Sequence, residues 1–538
     1  MFRPTGRFVR SAALAVLAAC APFAVHSARA ENWPQYGHDT ANSFVTNETW
    51  LSSSNVSTLR EQWTALAGQS STCTPCVVGD TAYVSLLIGG IKAVSVIDGH
   101  QFWALSLRTT MYGSISYYNG KLFLGDMNCR AYCVNPRTGA ILWQASYGDS
   151  TIDGFYGAPV IGNDKMYLGV ANHTDDNPCS QGRLVAINVA NGSVAWTWYA
   201  VTQIDGGGGI WNSVAYDDVT QAVFVATGNP CANDFTENGD CIVALNSTTG
   251  TMMWKYLAVR KDVMDYDFGS APTLFMAGTR PGVCAGNKAG YVYACDRTTG
   301  QLIWKTQVAQ QFLYPFVASA AAYKDRLFVG VGGTGSGPTT PGSIVALKAT
   351  TGQVLWRHNV KFPVYGSVCV INNLVFTTNG ADSLLALDAQ TGDQLWGVSL
   401  GTALNYSAPC VANGRLFVTG YSMGMKAFGT GSATPSQAAT VQPPRELITS
   451  AESAPSLRVS LNLPGAIHFR ASGGIDPNAS IEVYSASGLR VAAVPMVGGE
   501  AQWNGTNMRG IRAPRGSYVA RLHDGSAATR VLLLWGGR

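Results

Sequence analysis

Three aspartates, Asp262, Asp265 and Asp267, crowd one short stretch, and Lys288 follows 21 residues after the last. Carboxylates two residues apart share one side of an extended segment. Such a pair can take a proton from a substrate or hold a hard cation; it can equally be a loop of acids in solvent. Lys288, in Asn287-Lys288-Ala289-Gly290, offers an ammonium that stabilises developing negative charge, or is an exposed hairpin lysine. Asn229, in Gly228-Asn229-Pro230, offers a side-chain carbonyl to a hard cation, or occupies a turn, which asparagine suits. Trp211 closes the run Gly206-Gly207-Gly208-Gly209-Ile210. Its indole is a large rigid stacking face, and glycines such as Gly208 and Gly209 let backbone approach closely. The competing reading makes Trp211 one more packing tryptophan.

A repeat must position these residues. Seven segments share a β run, a polar residue, a Gly turn and a Trp: KAVSVIDGHQFW (92–103), RAYCVNPRTGAILW (130–143), RLVAINVANGSVAW (183–196), CIVALNSTTGTMMW (241–254), YVYACDRTTGQLIW (291–304), SIVALKATTGQVLW (343–356) and SLLALDAQTGDQLW (383–396). An eighth, Trp63, lies upstream, and successive Trps are 40 to 58 residues apart. That interval suits a four-stranded propeller blade. The spacing predicts an all-β, eight-bladed propeller whose Trps dock between adjacent sheets. Met425-Lys426-Ala427-Phe428 is a last half-repeat without a Trp. The strand around Trp63 completes it, so the two ends of the chain close the ring and remove exposed edges. Trp211 is out of phase with the docking Trps.

The rest of the chain frames this region. Residues 1–30 combine Arg3, Arg7 and Arg10, an apolar run from Ala12 to Val25, and Ala28-Arg29-Ala30 before Glu31. This reads as a signal peptide cleaved after Ala30, not a membrane span. Leu17-Ala18-Ala19-Cys20 also has the form of a lipoprotein box, but the apolar run continues past it. The expected location is outside the cytoplasm, secreted or at the cell surface, with the periplasm an alternative. Charged residues are 13% and the net charge is +4 without a basic run, which argues against nucleic acid as a partner. Eleven cysteines remain after cleavage, an odd number, so at least one is unpaired. Cys231 with Cys241, and Cys284 with Cys295 across a hairpin, are possible disulfides. Cys73-Thr74-Pro75-Cys76 is followed by Val77, so no covalent haem motif occurs.

Asn55-Val56 with Leu59 and Trp63, the Gly206–Ser213 run, Ala226-Thr227-Gly228-Asn229-Pro230, Asp262–Asp267 and Gly286–Tyr291 fall in one order that resembles the pyrroloquinoline-quinone (PQQ) alcohol dehydrogenases, over residues 32–429. Asn177-Pro178-Cys179-Ser180 resembles the Tyr-Pro-Cys-Cys of the polyvinyl-alcohol-dehydrogenase-like subgroup. The resemblance implies an oxidoreductase using PQQ with Ca²⁺, or a lanthanide, to oxidise alcohols, polymeric ones included. Lacking haem, it would pass electrons to a separate acceptor such as cytochrome c. By the same resemblance Trp211 is the cofactor floor, with Gly208 and Gly209 beside it, and Asp265 is the base. Lys288 faces the quinone, and Asn229 and Asp267 bind the metal. Asp175 or Asp176 stands near the family's metal-binding Glu. Three departures weigh against this: Met264 replaces the family's Trp, that Glu is missing, and no adjacent Cys-Cys occurs. A non-catalytic propeller serving as a binding scaffold is the competing reading.

Residues 430–456 are rich in Ser, Thr, Ala and Pro and read as a linker. Residues 457–538 alternate as short strands and are expected to form a small immunoglobulin-like β-sandwich. Ile481-Glu482-Val483-Tyr484, Ser487-Gly488, Trp503-Asn504-Gly505 and Gly516–Arg521 resemble sorting modules of type IX secretion and flagellar-hook-type modules. That implies a secretion machinery as partner; a carbohydrate-binding or spacer module is the alternative.

Overall fold

In the computed structural model, residues 31–431 are described except 174–178, 203–205, 232–236, 263, 311–316, 333–340, 381–382 and 402–405, together with parts of 456–535. The chain up to residue 437 and the chain from 438 onward form two compact units.

The first unit is an eight-bladed β-propeller, each blade an antiparallel sheet numbered here from the N-terminus. Blade 4 shows the plan, with strands Ala215–Asp217, Ala222–Ala226, Cys241–Asn246 and Met252–Leu257. Its inner strands are apolar on both faces because a neighbouring blade covers each side. Val223, Val225 and Val243 pack toward blade 3, while Phe224, Ala226 and Ala244 pack toward blade 5. The outer strand meets solvent and is largely exposed.

The repeat builds the joints between blades. Asn246 opens the turn between the third and fourth strands of blade 4, and its side-chain carbonyl accepts the N–H of Thr248 (2.9 Å) and Thr249 (3.0 Å). That turn needs a positive φ, which Gly250 adopts at 73°. Trp196 of blade 3 lies flat against Gly250, and its Nε1–H donates to Ser247 O at 3.0 Å. A Cβ on Gly250 would come within 2.6 Å of that indole. The same joint recurs for Trp63, Trp103, Trp143, Trp254, Trp304 and Trp356 against Gly99, Gly139, Gly192, Gly300, Gly352 and Gly392. The joint between blades 7 and 8 differs. Blade 8 takes its outer strand, Leu59–Ala65, from the other end of the chain, paired with Gly424–Thr430. Trp396 meets Phe428 edge-on there, with ring centroids 5.9 Å apart.

Residues 31–46 cross the centre of the blade ring, against the first strands. Their carbonyls accept N–H groups from one blade after another: Asn413 onto Glu31, Val77 onto Trp33, Tyr117 onto Pro34, Tyr216 onto Thr40, Leu274 onto Ala41, Ala322 onto Ser43 and Val370 onto Phe44. Val45–Thr46 then adds a fifth, parallel strand to blade 7. Backbone in a packed core must find partners, and this segment takes them from seven blades.

The second unit holds two antiparallel sheets. One comprises Ser456–Ser460, Ile467–Ser472 and Glu500–Trp503. The other comprises Arg490–Pro495, Ser480–Ser485, Gly516–His523 and Arg530–Trp535. Trp503 is buried, and its Nε1–H donates to Thr506 O at 2.7 Å.

The cysteines correct two expectations. Cys179 bonds to Cys231, so Cys231 does not bond to Cys241. Cys284 and Cys295 are both free. Their strands are adjacent, but Cys284 pairs with Ala294 and Cys295 with Val283. One step out of register puts the two thiols on opposite faces of the sheet.

Candidate active site

The expected residues meet on the loops at one end of blades 3 to 5. The loop before blade 5 is held by Asp262, whose carboxylate accepts the N–H of Met264 (2.9 Å) and of Tyr266 (2.5 Å). It carries Asp265 in a left-handed conformation, φ 58°. Asp265 is exposed and Asp267 buried, at 57% and 1% side-chain exposure. Lys288, in the blade 5 hairpin, holds both: its Nζ lies 2.7 Å from Asp265 Oδ1 and 2.7 Å from Asp267 Oδ1. The other Asp267 oxygen accepts Trp211 Nε1–H at 2.7 Å. The Lys288 ammonium also sits 5.0 Å from the Trp211 ring centre, within cation–π range.

Burial raises the Asp267 carboxyl to about 6, against the pull of Lys288. Burial alone would lower the Lys288 ammonium, but Asp267 and Asp265 beside it raise it above its ordinary value. Asp240, which the sequence reading did not single out, is buried behind this cluster. Burial first, then the charges of Asp262 and Asp267, push its carboxyl up to about 9. A carboxyl in that state is neutral at pH 7.

The glycines work as spacers. Gly182 faces the Gly208 carbonyl so closely that a side chain has no room, and Gly207 packs on Cys231. Gly208 N–H donates to Asn229 O at 2.8 Å, and Gly228 N–H to Gly209 O at 2.6 Å. Three loops thus stack backbone on backbone. Gly209 lines the resulting pocket, whereas Gly208 packs toward Val201 and Ala200.

That pocket, about 370 Å³, is lined by Trp211, Asn229, Asp265, Asp267 and Lys288. Tyr156, Asn172 and Cys231 also line it. The Cys179–Cys231 disulfide, unforeseen, ties the loop of blade 3 to that of blade 4 beside the pocket. The sequence did hold a signal for it. Asn177-Pro178-Cys179 and Asn229-Pro230-Cys231 are the same tripeptide at equivalent places in consecutive blades. Asp175 and Asp176 lie outside the described residues. Among the described residues, no group of three or more His, Cys, Asp or Glu is close enough to hold a metal ion.

A second cavity, about 490 Å³, occupies the propeller shaft and shares Trp211 and Tyr156 with the first. Aromatic rings surround it: Tyr112 stacks on Tyr156 with centroids 5.3 Å apart, and Tyr365 on Tyr406 at 5.1 Å. Tyr36, from the N-terminal segment, reaches this cavity and shares hydrogen bonds with Ser319 and Ser367 at 3.3 and 3.1 Å.

Residues 151–311 match the family described as glucose/ethanol/alcohol dehydrogenase, beta-propeller domain. Residues 88–205 and 340–529 match the family described as outer membrane protein assembly factor BamB. A polyvinylalcohol dehydrogenase of a Pseudomonas species is 23% identical over 396 residues, 64% of this chain and 61% of that protein. One from a Sphingopyxis species is 22% identical over 487 residues, 75% of this chain and 74% of that protein. The chain thus spans about three fifths of the first relative's length. Among solved structures, a quinohemoprotein alcohol dehydrogenase from Pseudomonas putida shares the fold at TM-score 0.65 and 17% identity, covering 79% of this chain and 83% of that one. The second of these family matches alone spans more than half of the sequence, and the chain belongs to that family of PQQ-type repeats, described as outer membrane protein assembly factor BamB.

Proposed function

We propose that the chain is an exported quinoprotein that oxidises alcohols with PQQ and a divalent metal, passing electrons to a separate acceptor such as cytochrome c. The observation that carries this reading is the pocket itself, which gathers a stacking indole, a cation, a carboxylate open to substrate and oxygen donors. Bound PQQ would supply the two-electron redox chemistry, and the protein would position it. Trp211 offers the flat face, and the Cys179–Cys231 disulfide walls the same space. Lys288 lies 5.0 Å from the centre of that face and would offer its ammonium to a quinone oxygen of the bound cofactor. Asp265, exposed and paired to Lys288, takes the alcohol proton.

The donor set suits a hard cation because it is all oxygen. Asn229 and Asp267 would hold the metal, with Asp175 or Asp176 completing the set. Asp267 is a buried carboxylate balanced by one lysine, and a divalent ion adds the charge that burial demands. The shaft cavity, lined by tyrosines, gives an apolar-faced path for a hydroxylated chain.

One observation favours a non-catalytic scaffold: Lys288 already pairs with both Asp265 and Asp267. The C-terminal unit, read as an immunoglobulin-like sorting module, would serve either function by taking the chain to the cell surface.

The test is a titration of metal-free protein with PQQ and either Ca²⁺ or a lanthanide, followed by absorbance and dye reduction on short alcohols. Stoichiometric binding with activity lost in Asp265→Ala supports the dehydrogenase. No binding with either metal ends that reading and leaves the scaffold.

A further inference from the structure

Glu31, expected to be the first residue after signal cleavage, is held more firmly than a chain start usually is. Its carbonyl accepts Asn413 N–H at 3.1 Å. Its carboxylate accepts Thr46 Oγ1–H at 2.9 Å, Asn47 N–H at 2.5 Å and Asn47 Nδ2–H at 3.1 Å. Its backbone nitrogen lies 2.9 Å from Glu48 Oε1.

Glu48 is the unusual partner. It is only 2% exposed. Its oxygens accept Trp50 Nε1–H at 2.6 Å and Gly414 N–H at 3.1 and 3.4 Å. Among the described residues, no Lys, Arg or His forms an ion pair with it. A buried carboxylate without a cation is costly, and burial raises the Glu48 carboxyl despite its N–H donors.

We propose that cleavage after Ala30 is a maturation step that supplies the missing cation: the new α-ammonium of Glu31 pairs with buried Glu48 and locks the N-terminal segment into the propeller. Before cleavage the nitrogen at Glu31 is a neutral amide with one N–H. Cleavage breaks the Ala30–Glu31 peptide bond with water, and the freed amine takes a proton. It then carries a full charge and three donors at the same position, and charge-assisted hydrogen bonds are roughly twice as strong as neutral ones. Asn413 and Gly414 belong to the first turn of blade 8, the blade that joins the two ends of the chain. The ion pair therefore ties the N-terminal segment, residues 31–46, which plugs the centre of the ring, to the closing blade. This inference does not depend on the redox reading.

The experiment compares residues 31–538 beginning at Glu31 with the same chain carrying Gly-Ser before Glu31, each with Glu48 or Glu48→Gln. The exported protein is also weighed intact. A mature mass beginning at Glu31 is expected, with its Tm at least about 2 °C above that of the extended chain. Glu48→Gln should erase the difference. Another N-terminus, equal Tm values, or a difference that persists in Glu48→Gln overturns the proposal; persistence would mean steric damage from the extension. If Glu48→Gln does not fold, acetylating the mature α-amine should lower the Tm to that of the extended chain. No change on acetylation overturns the proposal.

Discussion

The belt of docking turns and the loops of blades 3 to 5 solve opposite problems with the same chain. In the belt, one joint recurs: an indole donates to a turn carbonyl and lies on a glycine that leaves it room. Apolar surface is covered and the indole N–H is paired. The site loops share no such repeat. They bury Asp267 and Asp240, keep Asp265 in a left-handed conformation, and leave Asn212 Oδ1 without a hydrogen bond among the described residues. Repetition gives rigidity, and the departures from it concentrate the charge and strain that chemistry needs.

The largest effect should come from the site. Asp265→Ala is expected to reduce PQQ-dependent dye reduction by roughly 10²- to 10⁴-fold. Its Tm should stay near wild type, because the side chain is exposed. Retained activity would remove Asp265 as the base.

Next come two tryptophans of different region. Trp196→Ala removes a docking indole and should cost about 3–5 kcal/mol in denaturant unfolding. Trp211→Ala should cost less stability and abolish PQQ binding by absorbance titration. Equal stability losses with binding intact would make Trp211 another packing residue.

A smaller effect separates space from backbone conformation. Gly250 and Gly401 both have positive φ, 73° and 74°, but only Gly250 faces an indole. Gly401→Ala should cost the left-handed penalty alone, about 1–2 kcal/mol. Gly250→Ala should cost about 1–3 kcal/mol more from overpacking. Equal losses in urea would mean that the Trp196 contact adds nothing.

The last effect is a pH slope. The Asp240 carboxyl is raised to about 9 by burial, Asp262 and Asp267, against about 4 when unfolded. A raised folded value means that the group favours folding below about pH 4, and that this contribution is lost as pH rises through about 9. Metal-free protein should therefore lose Tm between about pH 5 and pH 9, and Asp240→Asn should flatten the fall. An identical slope in the variant would assign the loss to other groups.

Much of this was open to inspection in the residues. Local rules act within a repeat: a polar residue caps the turn, a glycine takes the positive φ, and a Trp follows. Those rules specify the eight blades and their closure through Trp63. Trp211, Asn229, Asp265, Asp267 and Lys288 were also legible through their motifs, and they do line one pocket. The partners across blades were not. Cys179 and Cys231 share a tripeptide but are 52 residues apart, and their pairing depends on which way two loops project. Cys284 and Cys295 looked like a pair by spacing, yet register sends them to opposite faces. Asp240 carries no motif; its carboxyl is raised by burial and by acids on another segment, Asp262 and Asp267. Residues 31–46 have no period of their own, because the blades, not the segment, provide their hydrogen bonds. Local backbone preference wrote the blades into the chain, while charge, disulfide pairing and the plug await the contacts that only a closed ring brings together.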